Sequence, residues 1–86
     1  MDWISLQKGF KHYLQLELSL SPHSIEAYEQ DVTKLFQFSQ TLPNTPSPSQ
    51  LSTDDLLVFL GFLNELGLAA TSQARIISGI KAFFTF

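Results

Sequence analysis

The sequence contains no cysteine and comparatively little charge. Without cysteine there is no disulfide framework, no thiolate metal ligand and no cysteine nucleophile, which fits a reducing compartment and predicts a cytoplasmic protein. Lys and Arg together number 5 against 8 Asp and Glu, so the formal net charge is −3 at pH 7. A net negative charge is unfavourable for a domain that binds nucleic acid through its overall electrostatic attraction alone.

Long apolar runs are also missing. No run approaches the roughly 18 residues that a membrane span needs, and the first three residues, MDW, lack the basic start of a signal peptide. The 86 residues are 44% hydrophobic and include eight Phe, which is enough material for one core but too little for a second domain. The sequence predicts a single domain over 1–86 without membrane contact.

Three segments repeat apolar residues at the three- and four-residue spacing of amphipathic helices, and a further segment is apolar almost throughout behind a helix-start signal. The predicted helices cover about 3–18, 22–40, 52–66 and 71–86, and the fold class is therefore all-α. The third helix is apolar at almost every position, so we expect it to be the central and most buried one. Three prolines between 41 and 50 predict an extended, polyproline-like surface connection.

Helix boundaries carry clear capping signals. Ser21 followed by Pro22 is typical of a helix start, because the hydroxyl accepts a backbone N–H and proline needs no partner there. Ser52 and Asp55 have the spacing of a capping box, and Gly67 suits the residue after a helix end.

Two polar surfaces have two possible interpretations each. Ser21, His23 and Ser24 at a helix start can form an ordinary cap or meet a phosphate. Arg75 and Lys81 on the polar side of the last helix can form a solvated face or a phosphate-contacting one.

Catalytic and metal-binding patterns are not visible. His12 and His23 lie in different segments without carboxylate partners at a suitable spacing, and no serine has an evident general base. Tyr13 and Tyr28 fall on apolar stripes and are expected to be core or boundary aromatics. We predict no metal, no cofactor and no catalysis by this chain alone.

The order of several short motifs resembles one family. The segment from Leu20-Ser21 through Ser24-Ile25 and Ala27-Tyr28 to Asp31-Val32 is followed by Arg75 and by residues 77–86, ISGIKAFFTF. This arrangement is similar to the N-terminal SAM-like, core-binding domain of tyrosine recombinases, the phage-integrase and Xer-type site-specific recombinases. The resemblance covers nearly the whole chain.

The resemblance implies a four-helix SAM-like orthogonal bundle that forms one half of a clamp around double-stranded DNA. The other half would be a C-terminal catalytic domain of the same chain, which carries the family's catalytic residues, and other recombinase protomers would bind the same DNA. Residues 1–86 would then be a piece of a longer recombinase, in keeping with an apolar pattern that still runs at Phe86. The implied DNA-facing residues are Ser21, His23, Ser24, Tyr28, Ser72, Arg75, Ser78 and Lys81.

A second hypothesis keeps the helical fold without DNA. The acidic balance and the apolar excess of the last two helices also fit a small helical protein–protein interaction module. Within the family resemblance, Glu29 and Gln30 stand where many members carry basic residues, so we expect weak, salt-sensitive DNA binding by this chain.

Overall fold

A computed structural model describes residues 2–86, which form four α-helices and one short 3-10 turn. The helices are α1 (Trp3–Leu16), α2 (Pro22–Ser39), α3 (Thr53–Glu65) and α4 (Ala70–Thr85), and the turn is Pro48–Gln50. No strand occurs within this part of the chain. The all-α, four-helix prediction is confirmed.

The capping signals act as predicted at three helix ends. The Ser24 backbone N–H donates to Ser21 Oγ at 3.3 Å at the start of α2. At the start of α3 the Asp55 N–H donates to Ser52 Oγ at 3.1 Å, and the Ser52 N–H donates to the Asp55 carboxylate at 3.0 Å. Gly67 follows α3 with φ of +79°, a conformation that glycine adopts without strain.

The central helix is α2, and the prediction that α3 is the most buried helix is wrong. α2 packs against each of the other three helices. By contrast, only Phe59 and Leu63 are buried in α3, while Leu57 and Val58 are more than half exposed. Apolar content is a poor guide to the burial of α3 because it does not show which neighbours the topology supplies.

Aromatic side chains from α1 and α4 fill one side of the core. The Trp3 ring stacks on Phe83 with ring centroids 6.1 Å apart, and Phe83 meets Phe10 edge-on at 5.3 Å. Trp3 Nε1 also donates to the Pro46 carbonyl at 3.0 Å, and Pro46 itself is buried. The prediction of an extended surface connection is therefore wrong at Pro46, which supplies the indole with its acceptor. It is also wrong at Pro48, which is buried and begins the 3-10 turn.

The contact between α2 and α4 depends on a glycine. A Cβ atom at position 79 would collide with Oδ2 of Asp31 and would lie 3.1 Å from its Cγ. Asp31 has no exposed surface. The missing side chain at Gly79 therefore lets the carboxylate lie directly against the α4 backbone.

Replacing Gly79 with Ala should destabilise the fold by about 2 kcal/mol, because the added methyl group must displace a buried carboxylate or separate two helices. The matched control is Gly61→Ala, since Gly61 is an exposed position within α3 and a methyl group there would meet no atom within 4 Å. That control should gain about 0.5 to 1 kcal/mol from helix propensity. Urea denaturation measures both, and equal stabilities of the two variants would contradict the close approach of α2 and α4.

Candidate nucleic-acid interface

The residues at the start of α2 form an exposed, capped helix end. Ser21 and His23 are exposed, and Ser24 is half-buried. Ser21 Oγ accepts the Ser24 N–H and donates to Ser24 Oγ at 3.1 Å, so the two hydroxyls form one local cluster. The cluster lies at the positive end of the helix dipole, where an approaching anion is favoured.

Tyr28 lies further along α2 and is half-buried. Its ring meets Phe10 edge-on, with centroids 6.2 Å apart. The body of the ring therefore belongs to the boundary of the core, as predicted for this residue.

Ser72, Ser78 and Lys81 occupy different environments along α4. Ser72 is half-buried, whereas Ser78 and Lys81 are exposed. The Ser78 hydroxyl donates to the Ala74 carbonyl at 3.2 Å within the helix. In residues 2–86 no carboxylate lies within 4.0 Å of the Lys81 amine, so its charge is available to solvent or to an anion.

Arg75 is held by a carboxylate of α2. Its Nη1 donates to Oδ2 of Asp31 at 3.1 Å, and its Nη2 donates to Oδ1 at 2.8 Å. Asp31 is fully buried, while 53% of the Arg75 side chain remains exposed. This is a bidentate, charge-assisted pair, the strongest geometry available to these two groups.

The electrostatics of the pair reflect two opposing effects. Burial raises the pKa of Asp31, and the hydrogen bonds and charge of Arg75 act in the opposite direction. Removing the carboxylate from water is therefore costly, and the guanidinium compensates for it.

The Asp31–Arg75 pair joins the two helices that carry the predicted DNA-facing residues. Asp31 lies one helical turn beyond Tyr28, and Arg75 lies one turn beyond Ser72. Asp31 is absent from the site residues predicted from the sequence. One feature of the sequence could have identified it. Asp31 stands on the apolar face of the second helix, where a carboxylate needs a cationic partner, and the chain has a single arginine.

A negatively charged side chain also lies close to the predicted DNA-facing surface. The Glu29 carboxylate is 3.9 Å from the Lys11 amine, an exposed pair of modest strength. Glu29 directly follows Tyr28, so it places a negative charge next to the predicted surface and reduces its attraction for phosphate.

Other kinds of site are not evident in the described part of the chain. Residues 2–86 contain no cluster of three or more His, Cys, Asp or Glu side chains that could hold a metal ion. Among the helices formed by these residues, none combines the length and apolar character needed to cross a membrane.

In residues 2–86, three helices pack against a central α2, and polar side chains are exposed along α2 and α4. These features define a small four-helix domain. Residues 8–86 match the phage integrase, N-terminal SAM-like domain family. The chain belongs to this family, which confirms the resemblance found in the sequence. No solved structure matches the chain significantly.

Curated relatives are tyrosine recombinases. The chain is 31% identical over 81 residues to tyrosine recombinase XerD of Listeria monocytogenes, covering 94% of this chain and 27% of the relative. It is 40% identical over 77 residues to tyrosine recombinase XerC of Herpetosiphon aurantiacus, covering 90% of this chain and 25% of the relative. The chain thus spans about a quarter of the length of these relatives and corresponds to a non-catalytic N-terminal domain.

Replacing Arg75 with Gln should lower stability more at neutral than at acid pH. Burial already raises the folded-state pKa of Asp31, and loss of the guanidinium raises it further, so the variant favours protonated Asp31. When the pKa of Asp31 is higher in the folded than in the unfolded protein, protonation of Asp31 stabilises the fold. This stability is fully present below the unfolded pKa of 3.8 and is lost as the pH rises through the folded pKa. The loss should therefore be small near pH 4 and about 3 kcal/mol near pH 7.

Urea denaturation at both pH values measures this difference. Lys81→Gln is the matched control, since it removes a cation of the same helix that has no carboxylate partner within residues 2–86. Its effect on stability should not depend on pH in this way. A pH-independent loss in Arg75→Gln would mean that Asp31 does not depend on Arg75 for its ionisation.

Proposed function

We propose that this domain binds double-stranded DNA through the start of α2 and the polar side of α4. Membership of the integrase N-terminal family over residues 8–86 carries the proposal. The exposed groups support it, since serine hydroxyls, helix-terminal N–H groups, arginine and lysine are the groups that contact DNA phosphates. These contacts fix the position of a protein on the duplex without reading its sequence.

The domain acts as one half of a clamp. A C-terminal catalytic domain of the full-length chain supplies the other half and all of the strand-exchange chemistry, and further recombinase protomers bind the same DNA. The relatives that support this proposal are tyrosine recombinases about four times as long as the matched segment. The place of action is the bacterial cytoplasm, where the chromosome is.

Binding by the domain alone is weak and sensitive to salt. Affinity for duplex DNA depends on the number of phosphates that cations neutralise, because each one releases counterions. Lys81 is an exposed cation without a nearby carboxylate within residues 2–86, whereas Arg75 is already paired with Asp31. The acidic net charge of −3 opposes association further.

Replacing Lys81 with Gln should weaken duplex binding and reduce the slope of log affinity against log salt by about one. Fluorescence anisotropy with a labelled duplex at several salt concentrations measures both quantities. Lys8→Gln is the matched control, because Lys8 is exposed on α1 and changes the net charge equally. Equal losses of affinity in the two variants would show that only net charge matters and would contradict the assignment of the α4 surface to DNA binding.

Replacing Ser21 with Ala should weaken DNA binding in addition to destabilising the fold. Ser52→Ala is a close control, since Ser21 and Ser52 each cap a helix by accepting a backbone N–H. Each substitution should cost about 1 kcal/mol of folding stability. Only the Ser21 variant should lose affinity for DNA when binding is measured under conditions where both proteins are folded. Equal DNA affinities of the two variants would contradict a role of the α2 start in the interface.

A second candidate function is protein–protein interaction. An apolar groove between α3 and α4, with a volume of about 430 Å³, is lined by Leu57, Ile77 and Phe84 among others. Exposed apolar surface of this kind is found at interaction sites. Sedimentation at several concentrations separates the two functions, because stable self-association without affinity for duplex DNA favours the second.

A further inference from the structure

We infer that Asp31 is a positioning residue for DNA binding, which holds the Arg75 guanidinium in a fixed orientation at the junction of α2 and α4. This inference rests on the proposed function, since it assigns Arg75 a contact with a phosphate group. Asp31 itself touches no DNA, because it is fully buried. Its role would be exercised entirely through the arginine.

The hydrogen-bond geometry leaves Arg75 able to bind a second anion. A guanidinium carries five N–H donors, and two of them are directed to the Asp31 oxygens. The side chain is still 53% exposed, so the remaining donors can meet solvent or a phosphate oxygen. An arginine with one edge buried against a carboxylate can thus present its other edge outward.

Fixing the side chain in advance favours binding. A long side chain free on a helix surface loses rotamer entropy when it contacts a ligand, and that loss weakens binding. The two bonds to Asp31 impose that ordering when the protein folds, before any DNA arrives. The same logic explains why binding groups are commonly supported by a second layer of hydrogen bonds.

The position of Asp31 is itself tightly constrained. Its carboxylate lies against the α4 backbone at Gly79, where a Cβ atom would meet it. The carboxylate is thus held between the α4 backbone at Gly79 and the guanidinium of Arg75. The orientation of Arg75 therefore follows from the packing of α2 on α4.

Positioning and simple electrostatics predict opposite effects of removing the Asp31 charge. Asp31→Asn deletes a negative charge beside a DNA-binding surface, which by Coulomb attraction alone would strengthen binding. If Asp31 positions Arg75, the same substitution weakens binding, because asparagine cannot accept both N–H groups with a full charge. The sign of the change decides between the two accounts.

The experiment measures duplex DNA affinity by fluorescence anisotropy at low salt, with circular dichroism confirming that each protein is folded under those conditions. Asp31→Asn should bind about tenfold more weakly than the unchanged protein. Glu26→Gln is the charge-matched control, as Glu26 is exposed on the same helix, and its affinity should stay equal or rise. Equal or tighter binding by folded Asp31→Asn overturns the inference.

Arg75→Lys provides a second variant in case Asp31→Asn fails to fold. Lysine keeps the charge next to Asp31 but lacks the planar fork that can bind two anions in fixed directions. Its affinity should fall by a similar factor, about tenfold, and unchanged affinity would overturn the inference. Where both single variants fold, the protein that carries both Asp31→Asn and Arg75→Lys should bind DNA no more weakly than Arg75→Lys alone.

Nuclear magnetic resonance gives a readout that a purely structural role would not move. Arg75 is the only arginine, so its Nε–H signal is unambiguous. At duplex concentrations that saturate both proteins, DNA should shift this signal in the unchanged protein but not in Asp31→Asn. If Lys81→Gln weakens binding while Asp31→Asn does not, the inference fails and the proposed function stands. If the unchanged protein shows no affinity for any duplex at low salt, both fail.

Discussion

The packing of α2 against α4 depends on one buried charge. Asp31 has no exposed surface, and an ionised carboxylate in such a place is tolerated only when a partner compensates for its lost hydration. Arg75 provides two hydrogen bonds, and Gly79 provides the space. The three residues therefore specify how the helices meet more narrowly than apolar contacts do, since hydrophobic packing has no direction.

This constraint connects the fold to the surface that we propose for DNA. α2 and α4 carry both groups of residues for which we propose DNA contacts, and the buried pair determines the register between them. A shift of one helical turn, about 5.4 Å, would separate Arg75 from Asp31 and leave a charge buried without a partner. A duplex that contacts both helices thus meets a surface whose two halves cannot slide past each other at low cost.

Local features of the fold could be predicted from the sequence, whereas features that depend on distant residues could not. The caps at Ser21 and Ser52 involve residues three positions apart, so their chemistry is visible in a short segment. Asp31 and Arg75 are 44 positions apart, and nothing local marks them as partners. For the same reason, apolar content wrongly suggested α3 as the central helix, because burial depends on which neighbours surround a helix. The family motif contained Asp31 but not its role.

The net charge does not show how the individual charges are placed, and several carboxylates have partners within the domain. Asp2 accepts the Ser5 N–H at 2.7 Å at the start of α1, and Asp55 caps α3 by accepting the Ser52 N–H. Asp31 is paired with Arg75. These partners hold the carboxylates in fixed positions but leave the net charge of −3 unchanged, because Arg75 is already counted in it and a helix dipole carries no net charge. Contact with a phosphate then depends on which donors face outward, and the buried pair controls that for the only arginine of the chain.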